Sequence, residues 1–175
     1  DHHEINKPYP ESDAIINPKK NNDFKESDYF CATSLTYFFL EILIKKIYSN
    51  FKITKYLIYV LLAIVCDVMP LRKINKIIAS NVIKNFTIKD NLAINIIFNQ
   101  LNLDKKLTID DLGYLIGPII NSGGRLGYSN YGTDLLTSDD PTIIKKRAIK
   151  LIKLNNKRKE IEQNIIDEID FEKIK

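Results

Sequence analysis

The sequence predicts a helix-dominated protein of the α/β class, and three observations carry that prediction. Apolar residues recur at three- and four-residue spacing through Ile74–Ile83 and Leu92–Leu101, the period of a half-buried helix. A single short β-like run, Ala14 to Asn17, stops at Pro18, and at most one further strand is expected beside Asp67. Asp139-Asp140-Pro141 combines an N-cap with proline at the first helical position and opens one long helix. The 175 residues suit one domain or one and a half.

Taken in order, residues 4–13 hold two prolines and read as irregular chain, and residues 19–28 are a charged, exposed loop. Phe30 to Tyr48 is a long apolar helix. Thr54 is placed to cap a second helix reaching Cys66. Its apolar run, "YLIYVLLAIVC" from Tyr56 to Cys66, is too short to span a bilayer and reads as core. Thr108-Ile109-Asp110-Asp111 has capping-box spacing, with Asp in the place of Glu, and starts a short helix toward Ile116. The last helix runs from Pro141 to about Phe171. Ile144, Ala148, Leu151, Leu154, Ile161 and Ile165 form its apolar stripe, interrupted by the polar "NNKRKE". About 30 helical residues reach roughly 45 Å, and so long a helix with a polar middle suits a bridge between two bodies.

An apolar fraction of 45% is that of a soluble globular protein. The net charge of +4 makes nucleic acid or another polyanion a plausible partner, although Ile, Lys and Asn are used heavily throughout. Cys31 and Cys66 lie in apolar settings without Cys-x-x-Cys spacing and read as buried free thiols of a reducing compartment. With no signal peptide and no spanning segment in view, a soluble cytoplasmic protein is expected, with no membrane partner.

Three places can carry chemistry. The chain opens on "DHHEIN", placing its only two histidines, His2 and His3, behind Asp1. This is either the scar of a tag or a metal-capable triplet: imidazole ligates divalent cations, and a neighbouring carboxylate fixes its tautomer. Asp67 follows the long apolar run in "AIVCDVMPL". It is either an N-cap at a chain reversal before Pro70 or a carboxylate held at the end of a core element for a hard divalent cation. Gly117–Gly127, "GPIINSGGRLG", contains four of the chain's six glycines. It is either a plain glycine-rich connection or a loop whose amides and Arg125 hold phosphate. The arginine favours phosphate, because the chain prefers lysine and places Arg only at 72, 125, 147 and 158.

The order DHH, then "DVMPL", then "GPIINSGGRLG", then a long helix with "LNNKRKEIEQ" resembles the RecJ-type exonucleases of the DHH phosphoesterase superfamily, along essentially the whole chain. The resemblance implies the C-terminal part of a DHH catalytic domain at residues 1–138, followed at 139–175 by a connecting helix toward a DHHA1-type domain. It implies 5′→3′ hydrolysis of single-stranded DNA in repair and recombination, with Mn²⁺ or Mg²⁺. It makes His2 and Asp67 metal ligands, gives Asp1 and His3 catalytic roles at the site and substrate phosphate, and lines a nucleic-acid channel with Asn121, Gly123, Gly124 and Arg125. Metal-activated water and cationic stabilisation of phosphoryl oxygens are what phosphodiester hydrolysis requires.

The sequence departs from that pattern in several places. The family's early acidic motifs, its downstream glycine–histidine motif and its OB-type domain are not in this chain. The family usually has arginine where Ile119 and Lys76 stand, and a "GVG"-like turn near Thr33-Ser34. These departures imply a fragment, inactive alone, whose partner is a complementary N-terminal fragment carrying the acidic motifs. Two other readings stand beside it: a DHH phosphoesterase of short oligonucleotides or cyclic dinucleotides, and a non-catalytic remnant of a split gene.

Overall fold

The computed structural model describes residues 2–20, 29–48 and 51–169. These form helices joined by turns and irregular chain, with no strand among the described residues. Helix dominance is as expected; the β component is not found. Ala14–Asn17 has the composition of a strand but no partner to pair with among the described residues, and an unpaired strand leaves its amides and carbonyls unsatisfied. The connection beside Asp67 is likewise a turn. Asp1, most of the predicted 19–28 loop and the end of the last helix beyond residue 169 lie outside the described residues.

The chain divides into two compact units, Asp1–Phe86 and Thr87–Lys175. The first contains α1 (Ala32–Ile47), α2 (Leu57–Cys66) and α3 (Lys73–Asn85). Helix α2 is apolar on nearly every side, as a helix enclosed by neighbours must be, and packs against both α1 and α3. Its Ile58, Val60, Leu61 and Ile64 are almost completely buried. Thr54 does not cap it; Thr54–Tyr56 is a 3₁₀ turn that leads into the helix without a side-chain cap. Helix α1 buries only Ser34 and Tyr37 among its residues.

The second unit contains α4 (Leu92–Gln100), α5 (Gly117–Arg125), α6 (Asn130–Thr137) and α7 (Pro141–Glu168). Asn91 caps α4, its Oδ1 accepting from the Ile94 amide at 3.0 Å. Asp140 caps α7, accepting from the Thr142 amide at 2.7 Å. Helix α7 is the spine: α4, α5 and α6 all pack on its first half, where Ile144, Ala148, Leu151 and Leu154 are buried. It runs unbroken through 155–160, and its 28 residues span about 42 Å. The compact units thus divide at 86/87, and the front half of α7 is a core element of the second.

Thr108 and Asp111 form the expected reciprocal cap. The Thr108 amide donates to Asp111 Oδ2 at 3.0 Å, and the Asp111 amide to Thr108 Oγ1 at 3.2 Å. Lys105 adds an ion pair to Asp111 at 2.6 Å. Burial alone would raise this carboxyl, but the bonds from Lys105 and Thr108 and the lysine charge hold it below its ordinary value. The helix does not stop at Ile116. A π-helical segment, Asp111–Ile116, carries it directly into α5.

Candidate functional site

In the first unit, His2 and His3 lie with ring centroids 4.4 Å apart. His2 is half-buried, and its Nδ1 accepts the Ala32 amide at 3.2 Å. Ala32 opens α1, so the imidazole satisfies one of the donors that a helix start leaves over. With Nδ1 engaged in this way, the neutral ring carries its proton on Nε2, so ligating a cation through His2 requires the ring to give up Ala32. His3 is exposed, and its carbonyl accepts from Asn17 Nδ2 at 3.0 Å.

Asp67 is exposed and ends α2. It is therefore not an N-cap. The Met69 amide bonds to Ile64 O at 2.9 Å and the Val68 amide to Val65 O at 3.2 Å, the two bonds of a Schellman ending. The left-handed position of that motif ordinarily takes glycine; here Val68 occupies it at φ 53° with its side chain 86% exposed. A carboxylate at the negative end of a helix dipole and a β-branched residue in left-handed backbone both act against stability. Local structure therefore gives no stabilising reason for Asp67, which leaves the ligand reading standing. Burial and the neighbouring Asp67 charge push the Cys66 thiol up, so it stays protonated and inert.

Asn75, which the sequence pattern did not single out, holds this turn. It is fully buried, and its Nδ2 donates to Tyr29 O at 2.7 Å and Pro70 O at 3.1 Å. Its Oδ1 has no partner. The signal was an asparagine at a core-facing position of a predicted helix. Lys76, beside it, is exposed on the same helix.

In the second unit, the glycine-rich segment is helical through Arg125 and not a loop. Its amides serve the helix, so phosphate recognition there falls to side chains. Gly123 is required by packing: a Cβ would sit 2.7 Å from Tyr128 O and 2.9 Å from Leu151 Cδ2. Buried Ser122 donates to Ile119 O at 2.6 Å and Leu151 O at 3.0 Å, bonding α5 to α7. Ile119 is buried core. Asn121, Gly124 and Arg125 are exposed together at the end of α5. Arg125 forms no ion pair among the described residues; Asp134, its alternative partner by sequence, pairs with Arg147 at 2.7 Å.

Among the described residues, no three of His, Cys, Asp or Glu gather to hold a cation. His2 and Asp67 alone do not fit a complete hydrolytic metal centre. No described helix is long and apolar enough to cross a membrane.

The fold is that of RecJ nucleases. RecJ from Thermus thermophilus in complex with Mn²⁺ matches 97% of this chain with a TM-score of 0.83 at 20% identity, over 25% of its own chain. The sequence agrees: the single-stranded-DNA-specific exonuclease RecJ of Haemophilus influenzae is 29% identical over 172 residues, 93% of this chain. RecJ of Escherichia coli is 29% identical over 178 residues, 94% of this chain. The chain is RecJ-like and spans about 30% of the length of these curated relatives. No protein-family model matches it.

Proposed function

We propose that this chain supplies the DHH-to-connecting-helix segment of a metal-dependent 5′→3′ exonuclease of single-stranded DNA, acting in cytoplasmic DNA repair and recombination. The likeness to single-stranded-DNA-specific exonucleases across 93% of the chain carries the reading. In it, Arg125 and Asn121 meet the phosphate backbone from the exposed end of α5, with Gly123 and Gly124 keeping that approach clear. Asp1, His2, His3 and Asp67 are this chain's contribution to a Mn²⁺ or Mg²⁺ centre whose remaining ligands come from elsewhere, and the back half of α7 leads toward a DHHA1-type domain.

Anisotropy of a labelled single-stranded oligonucleotide tests the phosphate role. Replacing Arg125 by Ala should weaken binding at low salt and flatten the salt dependence by about 0.7 in log–log slope, one phosphate contact. The melting temperature should stay within a degree or so of wild type, because an exposed, unpaired arginine carries no packing. An unchanged slope with lowered melting would sink the assignment.

A further inference from the structure

Immediately after α5 the chain turns at Gly127, φ 84°, and presents Tyr128. The Tyr128 amide bonds to Gly123 O at 2.7 Å, fixing this residue to the end of the helix that carries Arg125. The Tyr128 ring stacks on Tyr131 with centroids 4.9 Å apart and planes 29° from parallel. Two cations of α7 complete the cluster: Arg147 lies 4.1 Å from the Tyr131 centroid, and Lys150 Nζ lies 5.2 Å from the Tyr128 centroid.

The two halves of this cluster differ. Arg147 is neutralised by Asp134, and Tyr131 beneath it is half-buried, as a structural support would be. Tyr128 is 38% exposed, and Lys150 above it is exposed and pairs with no carboxylate among the described residues. One exposed aromatic ring, braced from behind and flanked by Lys150 and Arg125, both without an acidic partner, combines a π face with charges for phosphate. That is the pairing of groups by which proteins hold single strands without reading sequence.

We propose that Tyr128 is a base-stacking platform for single-stranded nucleic acid, with Tyr131 and Arg147 as its brace, and that Lys150 moves from the ring to a backbone phosphate when a base occupies it. This rests on the single-strand reading above and adds a contact to bases where that reading has contacts to phosphate.

The test compares binding of the 175-residue chain to oligothymidylate and to an abasic deoxyribose-phosphate oligomer of equal length, which keeps the charge and removes the bases. Wild type should prefer oligothymidylate by about tenfold. Tyr128→Leu should erase the preference and leave abasic binding unchanged, while Tyr128→Phe keeps it. Lys150→Ala should weaken both polymers alike. A wild type that binds the two equally, or a Tyr128→Leu variant that retains the preference, overturns the stacking platform and leaves the phosphate reading standing. A wild type that binds neither polymer overturns both. The wild-type comparison needs no substitution, so a variant that folds poorly does not spare the proposal.

Discussion

The two compact units differ in how their apolar residues are used. In the second, Ile94, Ile97, Phe98, Leu112 and Ile116 are at most 1% exposed, and one stripe of α7 closes over them. In the first, α2 is enclosed, but α1 turns Phe39, Ile42 and Ile47 outward, each at least half exposed. An exposed apolar stripe of this kind marks a surface made for contact with more protein. The unit with the metal-ligand candidates thus leaves a hydrophobic face open and supplies few ligands. The unit with the phosphate-facing arginine completes its own core. Binding and hydrolysis are properties of different units, and the first should outlast the second when this chain stands alone.

The largest effect expected from that contrast is on catalysis. The purified chain should bind single-stranded DNA yet show no significant nuclease activity, because His2 and Asp67 do not complete a cation site. Mn²⁺-dependent digestion of end-labelled single strands would erase the distinction between the units. Next comes packing. Phe98→Ala should destabilise the second unit by about 3–5 kcal/mol, whereas Phe39→Ala should shift stability by about 0.5 kcal/mol or less. Denaturation of both variants followed by circular dichroism measures the two; equal losses would show α1 to be as enclosed as α4.

A smaller effect concerns pH. The Asp111 carboxyl is held below its ordinary value in the folded protein, so its contribution is present above the unfolded value and lost as pH falls through the lowered one, below about pH 4. Asp111→Ala should cost about 1–2 kcal/mol at neutral pH through the lost cap and should remove that part of the acid sensitivity. A variant whose acid melting parallels wild type would assign the sensitivity elsewhere. Smallest is Val68→Gly. Relief of left-handed strain should stabilise the first unit by up to about 1 kcal/mol, less the added freedom of glycine in the unfolded chain. A loss of stability, read by urea titration, would show the exposed valine to be packed.

Much of the helical framework was legible because its signals are local. Asp140 ahead of Pro141, the Thr108/Asp111 box and the spacing through α3 and α4 all act within a few residues. The strand at Ala14–Asn17 was misread because β structure needs a partner that composition does not reveal. Gly117–Arg125 looked like a loop because glycine disfavours helix by about 1 kcal/mol each. Tertiary contact overrode that preference: Gly123 allows Tyr128 and Leu151 to approach, and Ser122 bonds across to α7. Of the candidate site, the DHH, Asp67 and Arg125 positions could be read from motif order. Asn75 and the Tyr128 cluster could not, since each acts on groups far along the chain: Tyr29 lies 46 residues from Asn75, and Lys150 meets Tyr128 only through α7.

The π-helical segment Asp111–Ile116 sets the rotational phase of everything that follows it in the same continuous helix. A wide turn holds one residue more than an α turn, and each residue accounts for about 100° of rotation. Deleting a single codon there would restore an ordinary α turn and swing α5 by roughly that angle. Ile119 would leave the core, Ser122 would lose Leu151, and Arg125 would face a different quarter of solvent. The stretch therefore resembles an ancient one-residue insertion that the later sequence has come to depend on. Length variation among descendants of this chain should fall in the turn after Arg125 or before Thr108, and not between them.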